Sequence, residues 1–244
     1  IVYNYLKAKL LNLQKGKRAF KVGEEHYDIG NDLYNIMLDK SMAYTCGYWD
    51  QASNLDQAQE AKLDLICKKL NLKPGQKILD IGCGWSSFIK FAVERYGVKA
   101  VGITISKEQA KLARKKCQGL PITIRLQDYN NLYETEKFDA IVSIGMFEHV
   151  GYKNYRKFMK VVHRNLKPNG IQMLHTIAGN TSVKSTDPWI NKYIFPNSML
   201  PSAKQITSAI EGLFVLEDWH SFGPDYDKTL MAWHKNFVDG WDQI

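Results

Sequence analysis

Apolar and polar positions change rhythm several times along the 244-residue chain. In residues 1–22, Val2, Leu6, Leu10, Leu13 and Phe20 fall close to helical spacing with lysines between them, a basic amphipathic segment. Residues 24–50 lose that period and collect His26, Tyr27, Asp28, Gly30, Asn31, Tyr34, Tyr44, Cys46, Tyr48 and Trp49, a mixture too polar and aromatic for a plain core helix. A helix is predicted over 54–70, with Asn54 as its N-cap and Pro74-Gly75 marking its end. From Lys77 the pattern becomes strand, turn, helix, repeated. Strands are predicted over 77–81, 100–105, 122–126, 138–145 and 171–177, and helices over 85–96, 107–117 and 152–166, the last closed by Lys167-Pro168-Asn169-Gly170. The nearly all-apolar 138–145 reads as a parallel strand covered on both faces. This alternation predicts an α/β fold with a doubly wound, mostly parallel sheet. Residues 179–200 break the rhythm with a long connection holding Asp187-Pro188-Trp189, Tyr193, Phe195 and Met199, the kind of insertion that serves as a lid after a fifth strand. A helix over 202–213, a strand over 215–220 and a helix over 227–241 complete the reading.

Composition excludes several classes. At 45% hydrophobic and 24% charged, the chain is not disordered, collagen-like or repetitive. Its longest nearly apolar stretch, 140–147, is far too short to span a bilayer. No cationic-then-apolar leader is visible, so a cytoplasmic setting with free thiols is expected. The four cysteines, at 46, 67, 83 and 117, include no CxxC pair, which argues against a zinc site or redox dithiol. Charge changes the picture more. The net charge is +8, and Lys7, Lys9, Lys15, Lys17, Arg18 and Lys21 contribute six of it with no acid before residue 23. A cationic head on a nearly neutral body suggests an anionic partner. Nucleic acid would call for a positive body as well, so none is expected, and a lipid surface fits better.

Candidate chemistry begins where the first sheet strand ends, at Ile78-Leu79-Asp80-Ile81-Gly82-Cys83-Gly84. Two glycines let backbone approach a ligand, and helix N-terminal N–H groups favour a carboxylate or phosphate. A nicotinamide dinucleotide would want a third glycine, where Ser87 stands, and an acid at the end of the second strand, where none is found. An Asp before GxG resembles motif I of S-adenosylmethionine (SAM) methyltransferases. The second strand ends in Gly102-Ile103-Thr104-Ile105-Ser106, so neutral polar groups there, with Gln109, would meet a ribose; Asp128, in Gln127-Asp128-Tyr129, can accept from an adenine amino group.

Several strings then converge: His26-Tyr27-Asp28-x-Gly30-Asn31-Asp32, Tyr44-Thr45-Cys46-Gly47-Tyr48-Trp49, the motif I run, Gly145-Met146-Phe147-Glu148-His149-Val150-Gly151, Leu174-His175-Thr176-Ile177 and Asp187-Pro188-Trp189-Ile190-x-Lys192-Tyr193-Ile194-Phe195-Pro196. Together they resemble the SAM-dependent cyclopropane-fatty-acyl-phospholipid synthases, relatives of the mycolic acid cyclopropane synthases. Leu11-Asn12-Leu13-Gln14 before Lys17-Arg18 looks like the bacterial phospholipid branch. The resemblance implies a class I methyltransferase sheet in a catalytic domain over 23–244 that lacks a C-terminal edge. Residues 1–22 would join it to an upstream domain. It implies that SAM is held by Tyr44, Thr45, Gly82, Gly84, Thr104, Gln109, Gln127 and Asp128. A bicarbonate ion would be held by Cys46, Glu148, His175, Ile177 and Tyr226, with backbone N–H groups near Cys46 and Ile177 among its donors. The family usually has glycines where Ser86 and Ser87 stand; at a helix start their hydroxyls would cap it.

The reaction so implied puts a methylene across a cis double bond of a phospholipid acyl chain, at the inner face of a membrane with which the protein associates peripherally. A weak nucleophile must be pressed against the methyl donor in a dry site. A base must then remove a proton without itself taking the methyl, which suits a fixed bicarbonate. Glu148 beside an anion requires that one of the two be protonated, or that His175 be charged. Phe147, Tyr152, Tyr193 and Phe195 are candidates to stabilise the carbocation; Cys46 is expected not to act as a nucleophile, and His149 has no assigned role. A methyl-branched product, or a non-catalytic membrane-binding homologue, stays open, as does a homodimer.

Overall fold

The computed structural model describes residues 31–243; the basic segment over 1–22 and His26, Tyr27, Asp28 and Gly30 lie outside them. After α1 (Asn31–Met37) and α2 (Leu55–Lys69), five parallel strands alternate with helices: β1 (Lys77–Ile81), α3 (Ser87–Tyr96), β2 (Lys99–Thr104), α4 (Lys107–Lys116), β3 (Ile122–Leu126), β4 (Phe138–Ile144), α5 (Tyr155–Asn165) and β5 (Leu166–His175). Three helices follow, α6 (Pro188–Tyr193), α7 (Ala203–Ile210) and α8 (Asp225–Asp239). Sheet order is β3-β2-β1-β4-β5. The order reverses between β1 and β4, and a crevice opens outside the carboxyl ends of those strands.

The local signals explain the elements. Asn54 accepts from the Gln57 N–H and starts α2, Ser106 does the same for α4 from Gln109, and Ser202 forms a capping box with Gln205. Successive β-strand residues face opposite sides. Ile78, Ala140 and Val142 therefore pack with Phe88, Ile89 and Ala92 on one face, while Leu79, Ile81 and Ile141 pack with Phe158 and Val162 on the other. A third cluster, Tyr34, Leu38, Met42, Leu55, Trp85 and Trp233, fastens α1 and α8 over the crevice.

Two expectations are corrected. β5 begins at Leu166 and ends at His175, because Phe138 pairs with Leu166 and Ala140 with Ile171 while Lys167-Pro168-Asn169-Gly170 bulge between them. Asn169 takes φ +62°, which accommodates the bulge. Residues 215–220 form no strand. The outer edge of β5 has no strand neighbour among the described residues, and Val215 stays 84% exposed.

Candidate active site

The motif I turn is built on backbone that only glycine adopts easily. Gly82 has φ +86°, and a Cβ there would lie 2.6 Å from Met146 Cγ. Its N–H and that of Cys83 both donate to Ile103 O. Gly84 has φ +53° with nothing within 4 Å of its missing Cβ, so it faces open space. Ser86 also sits at positive φ (+72°), buried, and makes no capping bond, whereas Ser87 Oγ donates to Ser41 O at 2.7 Å. The hydroxyls thus do not cap α3 as expected; Ser87 instead ties the helix start to the segment before Tyr44.

Beside this turn lies a cleft with about 1180 Å³ of empty space, mouth included. Tyr44, Thr45, Gly82, Gly84, Thr104, Gln109, Gln127 and Asp128 all line it. Thr104 Oγ1 donates to Gln109 Oε1 at 2.9 Å, and Asp128 Oδ1 accepts from Asn130 N and Nδ2, each at 2.8 Å. The wall also contains residues to which the sequence reading gave no binding role, among them Lys62, Asp80, Met146 and His149. Asp80 Oδ1 is buried with no hydrogen bond, and burial pushes its carboxyl up to about 8.

A second group of side chains forms next to the first. β4 is followed by Gly145, where φ is +64° and a Cβ would lie 2.3 Å from Thr45 Cγ2. The chain then makes a short 3-10 turn, Phe147–His149, that buries Glu148. Glu148 Oε1 accepts from the Ile177 N–H at 2.7 Å, and Met199 N donates to Glu148 O at 2.7 Å, so the connection after β5 is fastened across this turn. Glu148 Oε2 is buried without a hydrogen bond, and burial raises the carboxyl while the Ile177 N–H partly opposes it. His175 ends β5, with its O accepting from Gly145 N and its buried Nδ1 lacking a hydrogen bond. Burial, then the nearby Lys62 charge, push its imidazole down to about 3, so it is neutral at pH 7.

α8 completes the group. Thr229, fully buried, accepts from Gly47 N at 3.0 Å and Trp49 Nε1 at 2.9 Å, and Asp225 Oδ2 accepts from Trp49 N at 2.7 Å. This clasp, which no sequence motif announced, holds Cys46 against α8. The Cys46 thiol donates to Gly47 O at 3.3 Å, and burial raises its pKa, so it is a thiol rather than a thiolate. Tyr226 is half-buried on the first turn of α8; burial foremost, then Tyr44, Cys46 and Glu148, raise its pKa, so it keeps its proton. Two donors expected for an anion are already engaged, Ile177 N–H on Glu148 and Gly47 N–H on Thr229. Phe147 is not open to a ligand: it is fully buried, stacked at 4.3 Å on Tyr155. Phe195 lies 5.6 Å from the His149 ring, and Tyr193 is 62% exposed beside Trp189.

The geometry has counterparts in known proteins. The cyclopropane-fatty-acyl-phospholipid synthase of Escherichia coli (strain K12) is 56% identical over 97% of this chain, and the chain spans 62% of that relative's length. The cyclopropane mycolic acid synthase MmaA2 of Mycobacterium tuberculosis is 34% identical over 88% of this chain and 80% of its own length. A crystal structure of the mycolic acid cyclopropane synthase CmaA1 complexed with SAH and CTAB superposes with a TM-score of 0.85 at 32% identity, covering 92% of this chain and 85% of that one. The sequence pattern of the mycolic acid cyclopropane synthetase family matches residues 14–244, and the chain belongs to that family.

Proposed function

We propose that the chain carries the catalytic part of a SAM-dependent cyclopropane-fatty-acyl-phospholipid synthase that uses bicarbonate as its base. The observation that carries this reading is a juxtaposition. All eight residues expected at the cofactor line one cleft, and Gly145 presses one of them, Thr45, on the side where the next residues turn Glu148 inward. The cleft fits SAM: two positive-φ glycines open onto it, and the orphaned Asp80 carboxyl suits a cationic ligand. The neighbouring group fits bicarbonate: Glu148 Oε2 and His175 Nδ1 are buried polar atoms without partners, and Tyr226 retains a hydroxyl proton to donate.

Bound SAM supplies an electrophilic methyl group. Attack on that carbon by the π electrons of an acyl double bond would release S-adenosylhomocysteine and leave a carbocation on the acyl chain, and loss of a proton from the new methyl group would let the C–H electrons close the ring. Bound bicarbonate supplies the weak base for that proton. The protein's own work is to hold and to exclude. Tyr44 and Thr45 fix the wall between the two groups, while neutral His175, the Tyr226 hydroxyl and Glu148 orient the base. With His175 neutral, the conflict between Glu148 and an anion is relieved by a proton on Glu148, the direction in which burial moves it.

The connection after β5 serves as the lid of this reading, with Trp189 58% and Tyr193 62% exposed toward an acyl chain or headgroup region. The cationic head of the sequence, Lys7 to Lys21, meets an anionic leaflet on the same reading. The test is incubation of purified protein with SAM, bicarbonate and vesicles of anionic phospholipid with cis-unsaturated chains. A CH2 mass gain with cyclopropane signals in proton NMR is expected. A branched, still unsaturated product would replace the ring-forming assignment, and no SAM binding by calorimetry would end it.

A further inference from the structure

Lys62 lies in the middle of α2, only 1% exposed, with its ammonium at the wall of the cleft. Nζ donates to Thr45 Oγ1 at 2.6 Å and to Gln59 Oε1 at 2.5 Å. Gln59, one helical turn away, donates through Nε2 to Thr45 O at 2.8 Å and Ala43 O at 3.3 Å. The pair therefore grips residues 43–45 from below. Both partners of the ammonium are neutral, and among the described residues no carboxylate forms an ion pair with it. An enclosed ammonium with no carboxylate in ion-pair contact is costly to maintain. Here it borders an open cleft, and Thr45 Oγ1, in accepting from Lys62, keeps its own proton to donate onward.

We propose that Lys62 is a positioning residue that, through Thr45, presents positive charge to a carboxylate-type anion in the cleft, either the amino-acid end of the cofactor or a bicarbonate ion. This rests on the cofactor reading above and adds the charge that reading lacks, since His175 is neutral. The titratable groups facing Lys62 are Asp39, Cys46 and His175, with Tyr44, Asp80 and His149 on the same cleft. Burial, opposed by Asp39 and Cys46, brings the ammonium down to about 8, so the charge is present at pH 7 and is lost as pH rises through about 8.

The experiment is calorimetric titration of S-adenosylhomocysteine, and of its decarboxylated analogue, into the unaltered chain, Lys62→Met and Thr45→Val, repeated from pH 6.5 to 9. Lys62→Met should weaken S-adenosylhomocysteine by about tenfold or more and leave the decarboxylated analogue within about twofold. The unaltered chain should also lose affinity as pH rises through about 8, a step that Lys62→Met lacks. Thr45→Val should lose the same selectivity with the lysine in place. A second arm follows 13C-bicarbonate by NMR on the S-adenosylhomocysteine-loaded chain; weakening confined to this arm assigns the charge to bicarbonate. Methionine matches the lysine stem and removes a buried charge, so folding should survive; should it fail, Thr45→Val decides in the same arms. Unchanged affinities for all three ligands overturn the inference. Failure of the unaltered chain to bind S-adenosylhomocysteine at all removes the cofactor reading and this one with it.

Discussion

The Ile177 N–H donates to Glu148 Oε1, so the residue just past β5 is fixed by the acid just past β4. Glutamine keeps that bond but cannot exchange a proton at Oε2. Glu148→Gln should therefore fold normally, bind S-adenosylhomocysteine within about twofold, and lose turnover by roughly a hundredfold. Glu148→Ala leaves the Ile177 N–H unsatisfied and should cost a further ~1–3 kcal/mol in urea unfolding. Full turnover in Glu148→Gln would take the residue out of the chemistry.

Thr229 accepts two N–H groups from the Cys46 loop, that of Gly47 buried and that of the Trp49 ring part-buried. Valine fills the same space without an acceptor. Thr229→Val should destabilise by about 2–4 kcal/mol, since each orphaned donor costs on the order of 1–3 kcal/mol. Thermal melting reads the loss, and a shift too small to resolve would show that the clasp does not hold.

Gly145 leaves no room for a side chain. Gly145→Ala must strain the left-handed backbone by ~1–2 kcal/mol and push Thr45 aside. Denaturant unfolding should show at least that loss, and calorimetry a weakened S-adenosylhomocysteine. Unaltered binding would mean that Thr45 does not need its present position.

Asp80 gives a pH signature. Its folded value, about 8, lies above the ordinary carboxylate value, so the folded state holds a proton that the unfolded state releases near pH 4. Its contribution to stability is full below the unfolded value and is lost as pH rises from about 4 through about 8. Asp80→Asn should be more stable than the unaltered chain at pH 8, with a difference that shrinks toward pH 4. Binding a cationic cofactor at pH 7 should release close to one proton from Asp80, seen as buffer-dependent heat in calorimetry. A difference between the two proteins that stays constant from pH 4 to 8 would contradict this.

Trp189 is exposed on the connection after β5. Trp189→Ala should leave S-adenosylhomocysteine binding and melting unchanged while lowering turnover on vesicles by about tenfold. Equal turnover would separate this connection from the lipid.

Most of the sheet and the cofactor wall was legible because both are local. β1 and β3 end where the apolar runs end, and Gly82 and Gly84 announce their own backbone. What was hidden depends on residues far apart in sequence. Thr229 reads as an ordinary helix position until Gly47 and Trp49 arrive beneath it, and Lys62 reads as a solvated charge until residues 43–45 fold over it. Ser86 misled for a different reason: a serine before a helix is usually a cap, but here the turn forces φ positive and aims the hydroxyl elsewhere. Residues 215–220 have a strand's composition and, among the described residues, no neighbour to make them one.

The α8 clasp also sets an order of assembly. Residues 43–45 are gripped by α2, a short way along the chain, and lean on α8 through the Tyr44–Trp233 ring contact. Gly47 and Trp49 are held by Asp225 and Thr229, which emerge from the ribosome some 180 residues later. A growing chain can thus grip residues 43–45 from α2 well before α8 arrives to hold the Cys46 loop, so the two halves of the candidate site draw on very different lengths of chain.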